Sequence, residues 1–111
     1  MFMGFIYKFL DRYDNVLYVG KTENLIKRME QHFFNGHLDK KCYLSVNKIF
    51  YQKTGKKCET EMLETYYINL YHPKYNSDKV YLQKADINEN RLVVKEAEWF
   101  LLYIDFSFLN V

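Results

Sequence analysis

A chain of 111 residues, 49% apolar and with a net charge of +2, is long enough for one hydrophobic core and too short for a second. Any catalytic and binding groups must then share the surface of a single domain spanning 1–111. No apolar run reaches the length of a bilayer and the first residues lack a basic leader, which excludes a membrane span and sets the expectation of a cytoplasmic protein. Cys42 and Cys58 have neither a CxxC spacing nor spaced histidines, so the pattern argues against a zinc site and both read as reduced, structural thiols.

From Gly4 to Leu10 apolar positions alternate, with Phe5, Tyr7 and Phe9 on one side and Ile6, Lys8 and Leu10 on the other. Asp11–Asn15 is turn chemistry, and Val16–Val19 resumes the pattern, which predicts an antiparallel hairpin whose second strand ends at Gly20. Thr22 is the expected N-cap of a helix over Glu23–Phe34, in which Leu25, Ile26, Met29 and Phe33 recur at helical spacing and Gly36 lies just past the end. Asn24, Arg28 and His32 stand four residues apart and form a polar stripe beside the apolar one. A loop and short helix follow over Asn35–Ser45, burying Leu38, Cys42 and Val46, and a third strand is expected over Val46–Lys53. Thr54–Lys57 reads as a turn. Met62, Leu63, Tyr66, Tyr67 and Leu70 then predict a helix over Glu59–Tyr71 that Pro73 ends. Beyond Ser77, Lys79–Gln83 and Leu92–Asp105 are apolar-rich, and Trp99 is the expected anchor that packs this extension back on the domain. The expected fold is α/β (α+β), a three-stranded antiparallel sheet flanked by helices.

Charge is unevenly spread. Between Lys21 and Lys57 there are nine Lys and Arg against three acids, whereas the residues after Asn76 carry four against six. A basic middle of this kind suits a phosphate-contacting face, and a solvated helix face would look similar. Tyrosine accounts for 11 residues, a side chain suited to surfaces that are both apolar and hydrogen-bonding.

Two separated stretches carry a sharper signal. Phe5-Ile6-Tyr7, Tyr18-Val19-Gly20, Lys21, Leu25, Arg28 and His32 resemble the first signature of the GIY-YIG nuclease family, and Glu64 followed by Pro73-Lys74-Tyr75-Asn76 resembles its second. The resemblance covers residues 4–76, with residues 77–111 as an extension, and is to the small stand-alone nucleases of phages and bacteria. Its departures, Phe5 for glycine and Val19 for isoleucine, touch no reacting group.

The resemblance implies a Mg²⁺-dependent DNA endonuclease, with Mn²⁺ as a substitute and RNA left open as a substrate. Glu64 is the implied metal ligand: one carboxylate on a helix holds the ion while waters and phosphate oxygens complete the octahedron. Arg28 is the phosphate clamp, since its planar fork grips two oxygens. Tyr7 or Tyr18 is the general base, which requires a phenol lowered by Lys21, Arg28 or the metal. His32 is implied to relay a proton or to bond the phosphate. Gly20, Lys21, Lys53 and Asn76 form the substrate-binding set, with Asn76 equally suited to fixing backbone near the hairpin. His37 and His72 read as surface residues. One glutamate and one metal imply a monomer that nicks one strand, with dimerisation through residues 92–104 as the alternative. The rival reading is an inactive nucleic-acid-binding or protein-interaction module on the same scaffold.

Overall fold

The alternation from Gly4 to Leu10 produces strand β1 (Gly4–Leu10), paired antiparallel with β2 (Val16–Thr22). The computed structural model, which describes residues 2–76 and 98–103, continues through α1 (Leu25–Asn35), α2 (Lys40–Ser45), β3 (Lys48–Thr54), α3 (Lys57–Tyr71) and β4 (Phe100–Leu101). Asp11 builds the hairpin connection, its Oδ1 accepting the N–H groups of Tyr13 and Asn15 at 2.9 Å, while Asp14 takes the left-handed conformation that short polar side chains tolerate.

The sheet has four strands in the order β2-β1-β3-β4, not the expected three. The addition is β4, which pairs with β3 through Phe50↔Leu101 and Tyr51↔Phe100 and is too short for alternation to reveal. Trp99 does pack back on the domain, its ring centroid 4.8 Å from that of Tyr67. Beneath it Lys8 donates to the Tyr71 hydroxyl at 3.2 Å and lies 4.1 Å from the Trp99 centroid, an aromatic setting that offsets part of the cost of burying its ammonium. Residues 79–83 and 92–97, which include much of the segment considered for dimerisation, lie outside the described residues.

Several boundaries move for identifiable reasons. Gly20 does not end β2, because its backbone still pairs opposite Tyr7 and the ladder runs on to Phe5↔Thr22. Thr22 is not the helix cap. Asn24 holds that place, its Oδ1 accepting the Lys27 N–H at 3.1 Å, while the Thr22 hydroxyl accepts the Asn24 N–H one turn earlier. The third strand starts at Lys48, since Val46 closes α2 and the Asn47 N–H reaches the Leu10 carbonyl at 2.8 Å. The last helix begins at Lys57 rather than Glu59, consuming part of the expected turn.

Strand alternation divides the core between the two faces of the sheet. On one face Tyr7, Phe9, Tyr18 and Ile49 pack with Leu25 and Met29 of α1 and Cys42 of α2. On the other, Ile6 and Val19 pack with Tyr67 and Ile68 of α3. The buried stripe of α3 is Thr60, Glu64, Tyr67 and Ile68, so Met62 and Leu70, expected inside, are 45% and 53% exposed. That rotation turns Glu64 towards the sheet.

Pro73–Asn76 returns the chain to β2. Asn76 is fully buried, its Oδ1 accepting the Val19 N–H at 2.8 Å and its Nδ2 donating to the Val19 carbonyl at 2.9 Å. Both bonds use a side chain to complete a strand edge. Asn76→Ala should leave two buried backbone groups unpaired and cost about 2–4 kcal/mol, measured as a lowered midpoint in urea unfolding. An unchanged midpoint would show that water replaces both bonds.

Candidate active site

Tyr7 is the residue around which the polar side chains gather. It leaves β1 opposite Gly20, and a Cβ at Gly20 would stand 2.3 Å from the Tyr7 hydroxyl and 2.9 Å from Cε2 of Tyr18. The glycine therefore opens the space both rings occupy, with centroids 6.1 Å apart. From α1, His32 brings Nε2 to 2.7 Å from the Tyr7 hydroxyl. Its other nitrogen, Nδ1, lies 2.8 Å from the hydroxyl of Tyr43 on α2. His32 is buried, so the stripe expected to run Asn24, Arg28, His32 along one open face instead passes from an exposed cap to a half-buried arginine to an enclosed imidazole.

Electrostatics tie the remaining groups to the same point. Burial pushes the Tyr7 phenol well above its ordinary range; Tyr18 and the Glu64 carboxylate add to that, and the Arg28 guanidinium opposes it. The surroundings in the protein thus act against the lowered phenol expected from the sequence. His32 is depressed to about 4, chiefly by burial and then by the charges of His37 and Arg28, so its ring is neutral near pH 7.

Arg28 stands between two hollows. One, of about 190 Å³, is lined by Lys21, Thr22, Glu23 and Arg28 with Lys57, Thr60 and Glu61 of α3. The second, of about 290 Å³, is lined by Arg28, Gln31, His32, Asn35, Gly36 and His37. The Arg28 Nε is enclosed and has no hydrogen-bond partner among the described residues. Lys21 reaches Glu61 at 3.7 Å across the mouth of the first hollow.

Of the sequence-derived candidates, Tyr7, Tyr18, Arg28, His32 and Glu64 converge, Gly20 underlies them and Lys21 borders them. Lys53 is exposed on β3 and lines neither hollow. Asn76 is wholly enclosed, with both amide atoms bonded to Val19, which places it as a brace on β2. His37 is exposed, as expected, yet its ring centroid is 5.6 Å from that of His32. Tyr43 went unnoticed in the sequence, since no helical or strand spacing links it to His32 eleven residues earlier.

Among the described residues no three His, Cys, Asp or Glu side chains gather as a cage. What the site offers a metal is one carboxylate, Glu64, only 6% exposed on a helix facing the sheet. A single hard oxygen ligand fits Mg²⁺, which keeps several waters and takes its other ligands from substrate phosphate.

The family profile described as the UvrC-like GIY-YIG domain matches residues 4–77. The chain belongs to the GIY-YIG nuclease family. Among its relatives, the uncharacterized protein YurQ of Bacillus subtilis (strain 168) is 36% identical over 86 residues, covering 72% of this chain and 65% of that protein. UvrABC system protein C of Haemophilus influenzae (strain 86-028NP) is 35% identical over 74 residues, 64% of this chain. The Francisella tularensis subsp. novicida (strain U112) protein of the same name is 34% identical over 74 residues. Each UvrABC match spans only 12% of the relative's length, so the likeness is to a short part of a far longer protein. No described helix is long and apolar enough to cross a membrane.

Proposed function

We propose that this chain is a Mg²⁺-dependent endonuclease that hydrolyses phosphodiester bonds in DNA. The observation that carries the reading is the convergence on one phenol: Tyr7 touches His32 and feels the charges of both Arg28 and Glu64, three groups drawn from α1 and α3. Arg28, which lines both hollows, grips the scissile phosphate and stabilises the charge that builds on its oxygens. Tyr7 takes a proton from the attacking water after its own proton has passed to solvent, a loss that burial opposes and the Arg28 guanidinium favours; the new P–O bond forms in line with the one that breaks, and the departing alkoxide takes a proton from solvent. Glu64 holds Mg²⁺, which when bound supplies charge stabilisation to the phosphate and the departing oxygen. Lys21 and Lys57 at the first hollow add positive potential for the backbone.

Supercoiled plasmid incubated with the protein in Mg²⁺ or EDTA tests this. Open circles should accumulate before linear product in Mg²⁺ alone, as one active site per monomer requires. Concerted linearisation together with a dimer mass in light scattering would refute the monomer, and full activity in EDTA would end the metal assignment. Uncleaved plasmid that is still shifted on a gel would leave the binding module.

A further inference from the structure

The hydroxyl of Tyr43 occupies a built position. Leu38 donates its backbone N–H to it at 3.3 Å, His32 Nδ1 lies at 2.8 Å, and Gly36 is bare where a Cβ would come within 2.1 Å of it. Its ring is held edge-on to Phe33, with centroids 5.5 Å apart. A neutral imidazole carries one N–H, so His32 can bridge Tyr7 and Tyr43 in only two ways. If Nδ1 held the proton, the Tyr43 oxygen would accept from both His32 and Leu38, and the O–H of this half-buried residue would be left to solvent, with no acceptor among the described residues. If Tyr43 donates to Nδ1, the chain runs Leu38 N–H to Tyr43, Tyr43 O–H to His32 and Nε2–H to Tyr7, and the buried Tyr7 O–H turns to the Tyr18 hydroxyl beside it.

We infer that Tyr43 is a positioning residue that fixes His32 in the Nε2–H tautomer, so that His32 faces Tyr7 as a hydrogen-bond donor. The role for catalysis rests on the nuclease reading: a donor aimed at the Tyr7 oxygen favours the phenolate that accepts the water proton. It also sets aside His32 as the acceptor of the Tyr7 proton, because Nε2 already carries one. The neutrality that makes the tautomer meaningful comes from burial and from His37 and Arg28 nearby.

The test reads the tautomer directly. In ¹⁵N-labelled wild-type protein at pH 7 and without metal or DNA, His32 should show a protonated Nε2 and a bare Nδ1. Tyr43→Phe removes one oxygen and keeps the ring, so the amide fingerprint should persist while His32 moves to the Nδ1–H form or to a mixture. In plasmid nicking the same variant should lose on the order of tenfold to a hundredfold in kcat with KM unchanged, since a mis-set tautomer disables proton transfer without touching substrate binding. A protonated Nδ1 in the wild type, or a tautomer unchanged in Tyr43→Phe, would overturn the inference. Both spectra are read without activity, so a wild type that cleaves nothing removes the nuclease reading while the tautomer assignment is still decided.

Discussion

Glu64→Gln should reduce plasmid nicking by about a thousandfold or more, the loss of roughly 4 kcal/mol of transition-state stabilisation. The change removes the ligand charge and almost no volume, so the fold and the basic rim of Lys21, Arg28 and Lys57 persist. DNA binding measured by gel shift in Ca²⁺ should survive. Glu61→Gln is the control: it lies three residues earlier on α3, is exposed and pairs only with Lys21, and should nick at nearly the wild-type rate. Were Glu64 a helix residue without a metal, the two variants would behave alike, and equal rates would therefore sink the assignment.

Gly20→Ala should be nearly as damaging by a different route. The added methyl would lie 2.3 Å from the Tyr7 hydroxyl and 2.4 Å from its Cζ, so the ring or the strand must shift. Overpacking of this kind costs about 1–3 kcal/mol of stability. Displacing the phenol by about 1 Å costs on the order of a hundredfold in rate, so the nicking rate should fall further than the stability loss explains. Gly55→Ala provides the comparison, because nothing lies within 4 Å of its Cβ position. Normal nicking by a folded Gly20→Ala protein would show that Tyr7 does not need this placement.

The hairpin and the first helix were legible because their apolar residues repeat with the period of the element that carries them. The last long helix was legible as a helix but not in its rotation. Met62 and Leu70 are apolar and exposed, while Thr60 and Glu64 are polar and buried, so a stripe drawn through the hydrophobic positions points the wrong way. The buried polar residues have partners that periodicity does not register. Thr60 meets the Thr54 hydroxyl, and Glu64 bears on Tyr7 across the sheet. Thr22 and Asn24 are both good caps by type, and only the backbone decides between them. Most of the site could be placed because motif positions fix which residues meet. Tyr43 could not, since its contact with His32 depends on where α2 docks.

The embrace of Val19 by Asn76 also bears on how this sheet avoids its own kind. An exposed strand edge offers unpaired donors and acceptors to any other strand, and is a route to aggregation. On the β2 side three of those groups are taken: Tyr75 donates its N–H to the Leu17 carbonyl at 2.9 Å, and the Asn76 amide occupies both polar groups of Val19. On the far side, among the described residues, the sheet ends in β4, only two residues long. The second signature motif therefore does more than follow a glutamate, for it covers the middle of one margin of the sheet against another molecule's backbone.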